Sequence, residues 1–221
     1  MEKYTLPTLE DLIKRLLTAS EFSKKIVLIR HGQSQGNVSS VLHGSAEYEL
    51  TERGIAQAKE IGDGLDPFVD QIRQVRTSTM IRSIQTCHHI LNVDLRHEWK
   101  GKIIYDYRLR ELPLGVMEGT WINREEISRE DYIAMWHSLY AGHVVPLGSE
   151  GGKKFNERVM ESLREAVDGL NVYFAHSGVI YTIIMQKLEK TFLGNCGAIA
   201  LGFNEKNDEF ELIGLYEGHR V

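Results

Sequence analysis

Residues 26–29 read Ile26-Val27-Leu28-Ile29, an unbroken apolar run that leads directly into Arg30-His31-Gly32. A half-exposed strand would alternate with polar residues, so this run predicts a strand buried on both faces. A strand of that kind needs helices above and below its sheet. The rest of the chain supplies them in alternation. Helical spacing covers 51–65, opened by Thr51-Glu52-Arg53 and closed by Gly64 and Pro67; a strand is predicted at 72–77 and a helix at 80–91. Further on come a strand at 102–106, a helix at 155–167, a strand at 172–175 and a helix at 179–188. Two late strands, 198–203 and 210–216, flank a hairpin-like turn at 204–208. The pattern predicts a three-layer α/β/α sandwich with a mostly parallel central sheet and an antiparallel element at its end.

Two segments stand outside the alternation. Leu9, Leu12, Ile13, Leu16 and Leu17 recur at helical spacing behind Thr8, which predicts an amphipathic N-terminal helix. Charged residues interrupt it, so it is expected to pack on its own domain or on a partner subunit; docking on a membrane is the alternative. The segment 119–148 carries Trp121, Tyr132, Trp136, Tyr140 and His143 and is expected to form a cap inserted over a site. The expected organisation is one domain over 1–221, with 1–24 as a helical extension and about 119–148 as the cap.

Charge excludes some partners. With 31 acidic against 26 basic residues, the net charge is -5. There is no basic surplus to coat a nucleic acid or an anionic membrane, and a cytoplasmic location is expected. Cys87 and Cys196 lie in no metal-binding spacing and suit a reducing compartment, although the spacing alone leaves a bridge between them open. The oligomeric state is also open, a homodimer included.

In open α/β sheets, ligands bind beyond the carboxyl ends of the strands. Two predicted strands end in histidine there, His31 and His176, each followed within two residues by glycine. A helix is expected to start just after His176, where its free N–H groups favour an anion. Arg30 stands beside His31, and Arg82 lies near the start of the helix after the second strand. Two arginines, two histidines and helix-end amides suit a dianion such as a phosphoryl group. Each piece also has a plain reading: a strand-end histidine can be structural, and Arg82 can be a solvated helix arginine. His88-His89 reads as a pair of helix-surface histidines, because adjacent helical side chains diverge.

The order of these pieces carries more. Leu28-Ile29-Arg30-His31-Gly32-Gln33-Ser34-Gln35-Gly36-Asn37 resembles the opening signature of the histidine phosphatase superfamily, in its phosphoglycerate-mutase-like branch. Leu50-Thr51-Glu52-Arg53-Gly54 with Gln57-Ala58, and Ser78 to Thr86 around Arg82, are similar to its next two blocks. Leu109-Arg110-Glu111 with Gly115 and Glu118-Gly119, then Ala175-His176-Ser177-Gly178, complete the series in family order. The resemblance implies a phosphoglycerate-mutase-like sandwich with His31 as the phosphoryl-accepting nucleophile. It implies Arg30, Arg82 and His176 as the clamp on the phosphoryl oxygens, assisted by Asn37 and the backbone at Ser177. Glu111 is implied as proton donor to the leaving oxygen, with no metal and no cofactor.

The chain also departs from the family pattern. Gly36 stands where mutase members carry tryptophan, Glu49 where proline is common, and Ser177 where glycine is common. Glu150 keeps its place eight residues before Arg158, although Gly148-Ser149-Glu150-Gly151-Gly152 must turn differently. The cap carries only Arg124 and Arg129 as fixed cations. Three functions remain in view: a metal-independent phosphomonoesterase acting on a small phosphorylated substrate, a cofactor-dependent phosphoglycerate mutase, and a module that binds a phosphorylated ligand without turnover.

Overall fold

The computed structural model describes residues 3–39, 41–93, 102–122, 126–185, 188 and 192–219. Its elements are α1 (Leu9–Thr18), β1 (Lys24–Arg30), α2 (Gln35–Val38), α3 (Glu52–Leu65), β2 (Ile72–Ser78), α4 (Ile81–Leu91) and β3 (Ile103–Asp106). There follow α5 (Arg129–Tyr140), α6 (Gly151–Arg164), β4 (Gly169–Ala175), α7 (Ser177–Ile184), β5 (Ala198–Asn204) and β6 (Glu209–Tyr216).

The sheet has the order β3-β2-β4-β1-β5-β6. Strands β1 to β4 are parallel, β5 runs antiparallel to β1, and β6 antiparallel to β5. The antiparallel element is therefore one reversed strand, β5, and β6 returns to the common direction.

Alternate residues of β1 enter opposite cores, as the period of a strand requires. Ile26 and Leu28 join Tyr173 and Ala175 beneath Phe155, Val159 and Leu163 of α6 and Val179 and Ile180 of α7. Val27 and Ile29 join Val172 and Phe174 beneath α1, α3 and α4, through Leu12, Ile13, Ile61 and Ile90. The three-layer sandwich follows from that double burial.

Helix α1 belongs to the second core. It packs on β5, β6 and α3. Thr8 caps it by accepting from the Asp11 N–H, and Leu9, Leu12, Ile13 and Leu16 are buried. Its buried leucines therefore pack on its own domain. No helix among the described residues is long and apolar enough to cross a membrane. Cys87 and Cys196 are both buried and unbridged.

Two helix boundaries differ from expectation. The helix expected at 155–167 begins at Gly151 and ends at Arg164. Gly151 has φ +77° and Gly148 φ +83°, conformations that glycine adopts freely, so the chain turns sharply into α6 at Glu150. At the other end, Asn171 takes up the N–H and the C=O of Val167 (3.1 and 2.8 Å), which removes that residue from the helix. The helix expected at 179–188 starts earlier, at Ser177, with His176 as its N-cap, and ends at Ile184; residues 186 and 187 lie outside the described residues. Of the two cap cations, Arg124 and the side chain of Arg129 also lie outside them.

Leu12 is fully buried between α1 and the sheet. Leu12→Ala should lower the unfolding free energy by about 2–5 kcal/mol, the cost of a core cavity. A shift of the urea midpoint measures this; an unmoved midpoint would make α1 a detachable extension.

Candidate active site

Strands β1 and β4 are parallel neighbours with Arg30 opposite Ala175. The residues that follow them, His31 and His176, are therefore placed together. Their ring centroids lie 5.3 Å apart at an interplanar angle of 59°. The His31 N–H extends the ladder by donating to the Ala175 carbonyl (3.0 Å). On the other side of β4, β2 ends at Ser78, whose Oγ lies 2.8 Å from His176 Nε2. Arg82 projects from the first turn of α4, just after β2.

These groups border a cavity of about 410 Å³. Arg30, His31, Asn37, Arg82, Glu111 and Ser177 line it, together with His43 and Ser128. Ile127, Tyr132, Trp136, Tyr140 and Phe192 form its aromatic and aliphatic lining. Six of the seven expected site residues are thus on the wall. The seventh, His176, is wholly buried behind it against His31.

The arginines are held by carbonyl oxygens. Arg30 Nη1 donates to Leu193, and Arg82 donates to Ala46 and Gly44 (2.9 and 3.0 Å). Arg82 is 1% exposed, which rules out a solvated helix arginine. The loop that receives it is stapled by Glu118, whose carboxylate accepts from the N–H groups of Gly44, Ser45 and Leu114. Those backbone bonds hold the Glu118 carboxyl below its usual range against the opposing effect of burial. Arg30 Nε, Arg82 Nε and His176 Nδ1 are buried with no hydrogen-bond partner among the described residues. A donor left so costs roughly 1–3 kcal/mol, and a bound oxyanion can satisfy all three.

His31 is oriented as a nucleophile would be. Its Nδ1 lies 2.7 Å from the Gly32 carbonyl. A carbonyl can only accept, so Nδ1 carries the proton and Nε2 keeps its lone pair. Burial lowers its pKa well below 6.5, and the charges of Arg82 and Arg30 lower it further. His176 is also held well below 6.5, by burial and then by Arg82 and His31. Asn37 Oδ1 accepts from Ser34 N (3.1 Å) and Asn195 Nδ2 (3.0 Å), which fixes the amide on the wall. The same Asn195 amide donates to the His31 carbonyl (3.2 Å).

Glu111 enters from the loop after β3 and is 7% exposed. Its two oxygens accept from Leu112 N and Gly178 N, each at 2.9 Å. It makes no ion pair with Arg108 or Arg110: Arg108 binds Asp106 and Glu165, and Arg110 binds Glu47. A Cβ on Gly178 would collide with Glu111 Oε1 and the Tyr140 hydroxyl, so that glycine gives the carboxyl its room. Burial, followed by the Glu111 charge, raises the Tyr140 phenol well above its usual pKa and keeps it protonated.

Sequence reasoning did not find the support of this loop. Arg158 pairs with Glu150 (2.6 Å) and donates to the carbonyls of Arg108, Arg110 and Glu111. The eight-residue spacing of Glu150 and Arg158 was the available signal; their shared target was not, because it comes from another loop. Asn195 had no signal at all, being delivered by the segment before β5.

The model of the histidine phosphatase superfamily, branch 1, matches residues 26–213 of this sequence. The chain belongs to that superfamily. Two relatives named 2,3-bisphosphoglycerate-dependent phosphoglycerate mutase are similar in sequence. That of Mesorhizobium japonicum is 33% identical over 140 residues, 62% of this chain and 65% of the relative. That of Corynebacterium diphtheriae is 37% identical over 108 residues, 49% of this chain and 42% of the relative. The matches thus span less than two thirds of either relative. Among solved structures, a mycobacterial glucosyl-3-phosphoglycerate phosphatase in complex with VO3 superposes with a TM-score of 0.70 at 22% identity, covering 89% of this chain and 100% of that one. Bacillus stearothermophilus YhfR superposes at 0.67 with 24% identity, covering 85% and 94%. At these identities the superpositions establish a shared fold.

The buried histidines make stability depend on pH. Folded, His31 and His176 stay neutral below 6.5, whereas the unfolded chain protonates them there. The unfolded state then binds more protons, so stability is full above pH 6.5 and falls below it, by up to about 1.4 kcal/mol per pH unit for each histidine. Urea unfolding at pH 7.5 and 5.5 should differ by about 1–3 kcal/mol. His176→Gln should shrink the difference, and equal stability at both pH values would contradict the assignment.

Proposed function

We propose that this chain is a metal-independent phosphomonoesterase that hydrolyses a small phosphorylated substrate through a phosphohistidine on His31. The observation that carries the reading is the set of three buried, unpartnered donors around a neutral imidazole: Arg30 Nε, Arg82 Nε and His176 Nδ1. Preorganised cations at the phosphoryl oxygens provide most of what phosphoryl transfer needs.

In the first step the His31 Nε2 lone pair attacks phosphorus and the P–O ester bond breaks. Glu111 acts as the acid and gives a proton to the departing oxygen, which leaves as an alcohol. With the Ser78 hydroxyl donating to His176 Nε2, the remaining ring N–H is at Nδ1, which has no partner among the described residues and is the donor available to a phosphoryl oxygen. In the second step water attacks the phosphohistidine, its proton passes to the Glu111 carboxylate, and phosphate leaves with His31 restored.

The mutase reading draws on the names of the sequence relatives. Two features of this chain favour the hydrolase. An added Cβ on Gly36 would sit 2.8 Å from both His43 Nε2 and Tyr48 Cδ2, so the tryptophan of the mutase pattern has no room there. Helix α5 lines the cavity with Tyr132, Trp136 and Tyr140 and with no cation among the described residues, a poor setting for the second charged group of a bisphosphate.

Quenching the reaction under non-acidic conditions during turnover should find phosphate on His31 by mass analysis, and His31→Ala should lose nearly all activity while remaining folded. Reaction without a covalent intermediate would overturn the proposal. Glu111→Gln keeps the shape but removes the proton. In single turnover it should lose about 10²–10⁴-fold on an alkyl phosphate and much less on a nitrophenyl phosphate, whose leaving group needs no acid. Equal losses on both would reject the acid role.

A further inference from the structure

The aromatic part of the cavity lining is built by a register on one helix. Tyr132, Trp136 and Tyr140 lie four residues apart along α5 and share one face. Trp136 and Tyr140 stack, with centroids 5.6 Å apart and planes 18° apart, and Tyr132 meets Trp136 edge-on at 6.2 Å and 75°. Phe192 comes from the segment before β5, stacks on Tyr181 at 4.4 Å and 7°, and still lines the cavity. Ile127 completes this wall.

These contacts hold the rings in place before any ligand arrives. Ordering them on binding therefore costs little, and a flat partner gains the full contact. The guanidinium groups on the wall, Arg30 and Arg82, are committed to the transferred phosphoryl group. A carboxylate or second phosphate on the leaving alcohol would be desolvated against aromatic rings, at a large cost. An apolar ring there would bury its surface favourably.

Resting on the phosphomonoesterase reading, we propose that the substrates are monophosphates of an uncharged alcohol bearing an apolar or aromatic ring, with that ring seated against Tyr132, Trp136 and Phe192. Tyr140 closes the wall next to Glu111, where the ester oxygen would lie. The charged and polar lining sets which group is transferred, and the aromatic lining sets which alcohol is accepted.

The test compares substrates whose leaving oxygens are all primary alkoxides, so that proton donation by Glu111 weighs equally on each. Benzyl phosphate, ethyl phosphate and 3-phosphoglycerate are incubated with the full chain and released phosphate is measured. Benzyl phosphate should exceed both others in kcat/KM by at least about 10-fold, the scale of a few apolar carbons in a fitted pocket. Tyr132→Ala, at a half-buried position, should lower the benzyl-to-ethyl ratio at least about 5-fold, and Trp136→Leu, which keeps an apolar core residue, should do the same. Binding of benzylphosphonate and ethylphosphonate, read by calorimetry, gives the same comparison without chemistry. Tighter benzylphosphonate binding with no phosphate release would keep the ring pocket and defeat the phosphatase reading. Phosphate release with ethyl phosphate or 3-phosphoglycerate as good as benzyl phosphate, or equal affinities for the two phosphonates, would overturn the inference and leave that reading standing.

Discussion

The site depends on keeping two guanidinium groups inside the protein without pairing either with a carboxylate. Arg30 and Arg82 are 9% and 1% exposed and form no ion pair among the described residues. A carboxylate partner would neutralise them and compete with an anionic ligand. Backbone carbonyls of Gly44, Ala46 and Leu193 solvate them instead, leaving their positive charge directed at the cavity. Their pKa values fall through desolvation, yet a guanidinium remains charged at any ordinary pH. The same charges, with burial, suppress protonation of His31 and so leave its Nε2 lone pair free.

Much of the surrounding structure serves those carbonyls and the loop that carries Glu111. Glu118 fixes the loop that solvates Arg82, while Glu150 and Arg158 fix the loop that carries Glu111. A further network, of Asp106 with Arg76, Arg108 and Ser162, anchors the start of that second loop. These bonds are buried or half-buried and charge-assisted, the kind that fixes geometry more than it adds net stability. Helix α5 then lines the cavity with rings.

Legibility in the sequence followed the range of the interaction concerned. The strand 26–29 was legible because burial on both faces removes every polar residue from a run. The N-terminal helix and the cap of α3 at Thr51 were legible because spacing and capping are local. The end of α6 was not, because Asn171 of another element removes Val167 from the helix.

The same division holds for the site. His31, Arg30 and His176 could be placed from sequence because each abuts a strand whose apolar run announces where it ends. The start of the helix after the second strand offered Arg82, and motif order added Glu111, Asn37 and Ser177, which carry no local sign of function. Tertiary structure alone decided that β1 and β4 are neighbours and so put the two histidines 5.3 Å apart. It decided that His176 lies behind the wall, that Arg158 grips the Glu111 loop, and that Gly36 yields its space to His43 and Tyr48. A sequence records the chemistry of each side chain and the periodicity of its own segment. Which carbonyl receives a guanidinium, and which ring fills a gap, depends on segments brought together only by the packing of the whole chain.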